Sequence, residues 1–247
     1  VEPDEDLFFM RIHTDITNME ISESALNEIL AAQVKKMNAN IQFYYPETLQ
    51  RMAVFVTKES APLYDLLIKH QSGDLSCEIP CVISNHKDLE SVVSPFKIPF
   101  HYLPVSNETK EDQEKQINDI MKKENIDLLV LARYMQILSS DFVATYRGKI
   151  INIHHGFLPA FKGGSPYRQA WERGVKMIGA TAHYVTADLD EGPIIEQDVV
   201  SVNHQHSVQE MIQAGRDIER RVLTSAVKAH LEHRIILDGN RTIIFHG

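Results

Sequence analysis

From residue 51 onward, compact apolar runs alternate with stretches whose apolar positions recur at helical spacing. RMAVFVT (51–57), CEIPCVIS (77–84), PFHYLP (99–104), IDLLVLA (126–132) and KIINIH (149–154) read as strands. IDLLVLA is apolar without a break from Leu128, the pattern of a strand covered on both faces. Helices are expected between these runs. One ends near Gln71 and is closed by Ser72-Gly73, and one covers KDLESVV. A highly charged one over 108–125 presents mostly a solvated face, and a short one covers 139–146. Such alternation predicts an α/β fold built on a Rossmann-like, mostly parallel sheet. The pattern then changes. ATAHYVTADLD (180–190) and PIIEQDVVSV (193–202) predict two strands joined at Gly192-Pro193, then a long helix over 207–232 and a hairpin turned at Asp238-Gly239-Asn240. Upstream, LFFMRIHTD (7–15) and IQFYY (41–45) read as strands. They flank a helix over 22–37 with Ser22 as its cap and Ile21, Ala25, Leu26, Ile29, Leu30 and Val34 as its apolar positions. The predicted organisation is a partial α+β piece over 1–46, a linker over 47–50 and a main domain over 51–247.

Composition narrows the classes. A chain of 247 residues, 43% of them hydrophobic, supports a sizeable core. Acidic residues outnumber basic ones 34 to 25, and a net charge of -9 argues against nucleic acid as a partner. A small anionic ligand in a locally basic pocket stays compatible with that charge. No apolar run reaches membrane-spanning length, so no membrane association is expected. The opening VEPDEDLFFM has neither a basic n-region nor an apolar h-region, so no signal peptide is expected. Cys77 and Cys81, on one strand, would lie roughly 13 Å apart, too far for a disulfide. They read as reduced core thiols and fit a reducing compartment, cytoplasmic or, in a eukaryote, mitochondrial.

The sequence carries no G-x-G-x-x-G after a strand, no phosphate-cradling P-loop, no H-E-x-x-H and no G-x-S-x-G. Reactive side chains concentrate instead between 152 and 193. Asn152 and His154 close an apolar strand and, two apart, share one face, with Ile151 and Ile153 on the other. Ligands of open α/β sheets bind beyond the carboxyl ends of strands. An amide and an imidazole therefore project together where a ligand belongs. His155 is expected to turn away, or into the loop 157–164, as a structural residue. The tip Asp188-Leu189-Asp190-Glu191-Gly192-Pro193 gathers carboxylates in a tight turn, and one of them beside His154 would orient the ring.

The N-I-H, L-P and L-D-E-G-P elements resemble the formyltransferase fold that uses 10-formyltetrahydrofolate. ISNH (83–86), LARYMQILS (131–139), INIHHGFLPAFKG (151–163), IGATAHYVTADLDEGPIIEQDV (178–199) and GRDIERRVL (215–223) are similar to the formyltetrahydrofolate deformylases of that fold. The resemblance covers about 51–247. The piece before it resembles the second half of an ACT domain, without the first strand and the D-R-x-G turn of such domains.

This resemblance implies hydrolysis of 10-formyltetrahydrofolate to tetrahydrofolate and formate, supplying formate for purine biosynthesis and balancing the one-carbon folate pool. It implies Asn152, His154 and Asp190 as catalytic residues, with no metal and no cofactor, the folate being substrate. It sets that folate against Tyr134, Met135, Gln136, Ile137 and Leu138, and against His183, Val185, Thr186 and Asp188. Lys162, Arg133 and Arg168 are candidates for the glutamate tail. ACT-like pieces pair, so a homo-oligomer is expected. Where ribonucleotide transformylases carry a glycine-rich phosphate loop, TKESAPLYD (57–65) has no glycine. No RNA-binding domain is expected after the catalytic fold. Water is therefore the expected acceptor. The alternatives are formyl transfer to an amine such as glycinamide ribonucleotide, a metal-dependent amidohydrolase using His154, His155, His183 and Asp190, and a non-catalytic folate or amino-acid sensor.

Overall fold

The computed structural model describes residues 7–45, 48–106, 108–160 and 165–246. The chain divides into two compact units, Val1–Thr48 and Leu49–Gly247. In the first, α1 (Glu23–Lys36) starts where the Ser22 hydroxyl accepts a hydrogen bond from the Ala25 amide at 3.2 Å. The two strands expected around it do not form. Residues 8–15 and 41–45 join no ladder among the described residues. Apolar, β-prone sequence becomes a strand only where a neighbour completes its backbone hydrogen bonds.

The second unit is built on a seven-stranded sheet. Its strands are β1 (Gln50–Val56), β2 (Cys77–Ser84), β3 (Phe100–Tyr102), β4 (Leu128–Leu131), β5 (Ile150–His154), β6 (Met177–Tyr184) and β7 (Ile194–Ser201), in the order β3-β2-β1-β4-β5-β6-β7. The first five are parallel, and β6 runs antiparallel to both β5 and β7. The predicted fold class is thus the one observed. All four residues of β4 are buried, as its unbroken apolar run requires. The helices are α2 (Ala61–Gln71), α3 (Glu90–Val93, continued as a 3-10 turn), α4 (Lys110–Lys123), α5 (Ser140–Thr145), α6 (Pro166–Glu172) and α7 (Val208–Leu231). One core layer packs Leu63, Leu66 and Leu67 of α2 with Val222, Leu223 and Ala226 of α7 against Val54, Val130 and Ile151. The other packs Ile117 and Met121 of α4 with Phe142 of α5 against Phe55, Leu129 and Ile150. A hairpin of β8 (Ile235–Asp238) and β9 (Arg241–Ile244) closes the unit. Among the described residues, no helix is long and apolar enough to cross a membrane.

Several local readings change. The strand expected over 180–190 stops at Tyr184, and 185–193 is a loop. A Cβ at Gly192 would run into the Tyr184 carbonyl, so the chain turns back there. Helix α6 was not anticipated; its first residue is Pro166, whose fixed φ suits a helix start. Helix α4 is not all solvated: Glu114 is buried and its carboxylate accepts the Ser139 amide at 2.7 Å, at the start of α5. Cys77 and Cys81 are free and buried, and burial pushes both thiols up to about 12. They lie in different core layers, because a register shift between Glu78 and Cys81, at Pro80, breaks the period of two.

Candidate active site

Strand β5 carries Asn152 and His154 to the carboxyl end of the sheet, with Ile151 and Ile153 in the core behind them. Antiparallel pairing sets β6 beside it, His183 opposite Asn152 and Thr181 opposite His154. Four polar side chains therefore line one face of two adjacent strands. His154, His183 and Thr181 are buried and Asn152 is half-buried.

The 185–193 loop brings in the carboxylate. Asp190 adopts a left-handed backbone, φ 57, and Thr186 Oγ1 donates to the Asp188 carbonyl at 3.1 Å. The turn aims Asp190 inward: Oδ2 is 3.3 Å from His154 Nδ1 and Oδ1 is 3.7 Å from His183 Nε2. Its side chain is 7% exposed. Burial pushes this carboxyl up, but the imidazoles of His154 and His183 beside it outweigh that and hold it well below the usual carboxylate range.

The hydrogen-bond chain orients the amide. His183 Nδ1 is 2.9 Å from the Tyr184 carbonyl, which only accepts, so Nδ1 carries the proton and donates. In the neutral ring Nε2 then accepts from Asn152 Nδ2 at 3.2 Å. One hydrogen of the Asn152 amide is thereby fixed and the second is aimed. With His154 Nδ1 turned to Asp190, its Nε2 is the atom on the other side of the ring. Gly156 keeps room there: a Cβ would lie 2.9 Å from Nε2.

Other residues hold these in place. Thr181 donates to the Gly156 carbonyl at 2.9 Å and accepts from the Leu158 amide at 3.0 Å. Thr57, at the end of β1, donates to Asn85 Oδ1 at 2.9 Å and accepts from the Met135 amide at 3.1 Å, fixing the start of the 134–138 segment. Sequence reasoning named neither Gly156 nor Thr181 as part of the site. The register that sets Thr181 against His154 is what identifies it.

The expected folate residues sort by exposure. Met135 and Ile137 are exposed, at 54% and 64%, and Gln136 is half-buried. Leu138 and Val185 both pack on the Phe55–Leu129 core layer. Thr186 is half-buried and Asp188 exposed. Tyr134 offers no side-chain surface, being 5% exposed and edge-on to Phe55. His183, expected against the folate, sits in the interior and contacts Asn152 and Asp190. Arg168 lies on the surface beside Glu172, Arg133 turns inward toward Glu219, and Lys162 lies outside the described residues. His155 turns away from Asp190 toward Tyr167, ring centroids 5.9 Å apart. Burial, with Arg133 and His154 nearby, pushes its imidazole down to about 3. Among the described residues, no group of three His, Cys, Asp or Glu is arranged to hold a metal ion. A cavity of about 330 Å³ lined by Glu196, Ser225, Arg234 and Thr242 shares no residue with this site.

The fold and this strand-end constellation define a formyl-transferring class, and the formyl transferase family matches residues 50–227. The formyltetrahydrofolate deformylase of Synechocystis sp. is 49% identical over 239 residues, covering 97% of this chain and 84% of its own. The structure of a formyltetrahydrofolate deformylase from Pseudomonas syringae pv. tomato superposes with a TM-score of 0.89 at 41% identity, covering 92% of this chain and 76% of that one. Glycinamide ribonucleotide transformylase 1 from Symbiobacterium toebii reaches 0.75 at 28% identity, covering 84% and 98%. Within the formyl transferases, the chain belongs to the formyltetrahydrofolate deformylase family.

Proposed function

We propose that this chain cleaves 10-formyltetrahydrofolate with water, giving tetrahydrofolate and formate, and that Asn152, His154 and Asp190 carry the chemistry. The observation that carries the residue assignment is their convergence. An oriented amide, an imidazole and a charged carboxylate meet at one strand end, with His183 accepting from the amide beside the carboxylate.

A formamide resists water because attack builds negative charge on the carbonyl oxygen. Donors already aimed at that oxygen lower the barrier by roughly 3–4 kcal/mol each. The second amide hydrogen of Asn152 and Nε2–H of a protonated His154 are those donors. Asp190, across the ring at Nδ1, stabilises the imidazolium. Its low pKa makes it a weak base, which favours orienting the water over storing its proton. Water oxygen bonds to the formyl carbon, the C–N10 bond breaks, and one water proton ends on N10. The other leaves with formic acid, which ionises. Every step uses this chain's side chains and water.

The exposed Met135 and Ile137, beside Leu138 and Val185, support seating the pterin there, with backbone amides of 134–138 reading its edge. Formate release for purine synthesis and balancing of the folate pool follow from this reaction as its role. The buried thiols, free of any disulfide, support a reducing, cytoplasmic setting, and the resemblance of residues 1–46 to part of an ACT domain supports assembly as a homo-oligomer.

The test supplies the purified protein with 10-formyltetrahydrofolate and no amine, following both products. Equal amounts of tetrahydrofolate and formate are expected. Turnover that appears only when an amine is added would sink the hydrolase reading. Asn152→Ala should retain folate binding and lose about a hundredfold in kcat.

A further inference from the structure

Charged groups that this chemistry does not use gather beside it. The strand order reverses between β1 and β4, and in open α/β sheets the crevice at that reversal takes the ligand. On the β5 side of β4, the chain's own side chains pack against the His154 end of the site. Arg133 follows β4, two residues past the Leu131–Asn152 pair and so level with His154 on the next strand. Its Nη1 is 3.5 Å from Glu219 Oε2, with side chains 16% and 4% exposed. Glu219 Oε1 accepts the Tyr167 hydroxyl at 2.6 Å. Gly215, one turn earlier on α7, leaves the room that Tyr167 fills. His155 lies between Tyr167 and His154, its ring centroid 5.9 Å from the first and 5.5 Å from the second. At the end of β1, Glu59 Oε1 is 3.0 Å from Arg216 Nη2, also on α7. A continuous wall thus runs from the His154 imidazole to α7.

The wall is built against local preference. Arg133 holds a left-handed backbone at φ 64. Its Nε and Nη1 make no hydrogen bond among the described residues. Buried ion pairs seldom add stability, and strained positions concentrate at functional sites. The side of the site between His154 and α7 is thus occupied by packed side chains, and beyond β1 Glu59 is already paired with Arg216.

We propose that Arg133, Glu219 and Tyr167 plug the strand end between His154 and α7 and so restrict the formyl acceptor to water; this rests on the hydrolysis reading above. Hydrolysis and transfer balance alike. A nucleophile bonds to the formyl carbon, gives up one proton, and N10 leaves with one. What separates them is whether an amine reaches the carbon.

The test compares the full chain with Arg133→Gly/Glu219→Gln. Glycine suits the backbone at 133, and glutamine keeps the volume of Glu219 and an acceptor for Tyr167. Each is given 10-formyltetrahydrofolate with and without glycinamide, a primary amine. Formate and N-formylglycinamide are counted against tetrahydrofolate released. The parent is expected to give formate alone. The ratio of N-formylglycinamide to formate should rise at least about tenfold in the variant over any trace the parent gives, the low end for discrimination by pocket shape. Formate as the sole product of both overturns the plug. A parent that releases no formate without amine overturns the hydrolysis reading instead. If circular dichroism shows the double variant unfolded, Tyr167→Phe decides, since it removes only the hydroxyl that holds Glu219. A severalfold rise in the same ratio supports the plug, and an unchanged ratio overturns it.

Discussion

Asp190 and Glu219 are both carboxylates with side chains no more than 7% exposed, yet their environments drive them in opposite directions. Burial raises both. At Asp190 the two neighbouring imidazoles, His154 foremost, reverse that effect. At Glu219 burial wins over the attraction of Arg133 and the hydrogen bond from Tyr167. The difference is one of contact. Asp190 Oδ2 is 3.3 Å from an imidazole N–H, whereas the guanidinium facing Glu219 stands at 3.5 Å without a hydrogen bond. One carboxylate is kept charged beside the reacting atoms. At the other, burial pushes the carboxyl up against Arg133 and Tyr167, and the side chain serves as packing.

The largest effect that tests this contrast is kinetic. Asp190→Asn keeps the volume but removes the charge that stabilises a protonated His154. In a steady-state assay kcat should fall about a thousandfold with KM little changed. A fall of less than tenfold would mean that Asp190 is as passive as Glu219. The next effect belongs to the other side. A Cβ at Gly215 would run into the Tyr167 ring and hydroxyl, so Gly215→Ala should force Tyr167 off Glu219. The expected loss is about 1–3 kcal/mol of stability, read from urea unfolding. An unchanged midpoint would show that the Tyr167–Glu219 contact is loose.

How much of this contrast could be read from the sequence follows the same division. Asn152 and His154 were legible because a period of two on an apolar strand fixes which side chains share a face. The buried β4 was legible because a strand covered on both faces leaves no room for polar positions. The Asp190 tip was recognisable as an acidic turn, but its inward aim depends on a left-handed backbone and on the approach of Gly192 to Tyr184. His183 meets Asn152 only through the antiparallel register of β5 and β6, which no pattern within either strand reveals. Glu219 and Arg133 come from α7 and the end of β4, and no local pattern links them. The first unit failed for a related reason: 7–15 and 41–45 have the composition of strands, and pairing, not composition, makes a strand.

The smallest effect is also the sharpest, because its sign differs between the two residues. Asp190 has a folded pKa below its unfolded value of about 4. Its stabilisation is therefore present above that value and is lost as pH falls through the folded pKa. Glu219 has a folded pKa above its unfolded one, so its stabilisation is present below the unfolded value and is lost as pH rises through the folded pKa. Asp190 faces His154 and His183; Glu219 faces Arg133 and Tyr167, with Glu59 and Arg216 beyond. Unfolding free energies of the parent, Asp190→Asn and Glu219→Gln, measured in urea between about pH 3 and pH 8, isolate each contribution. The parent's advantage over Asp190→Asn should grow as pH rises from the acid end. Its advantage over Glu219→Gln should shrink over the range above about pH 4. Each difference removes the titrations of distant groups common to both proteins, so the slopes report each carboxylate together with the neighbours that shift it. Two slopes of the same sign would place both carboxylates in the same electrostatic role and dissolve the distinction between the charged catalytic group and the buried plug.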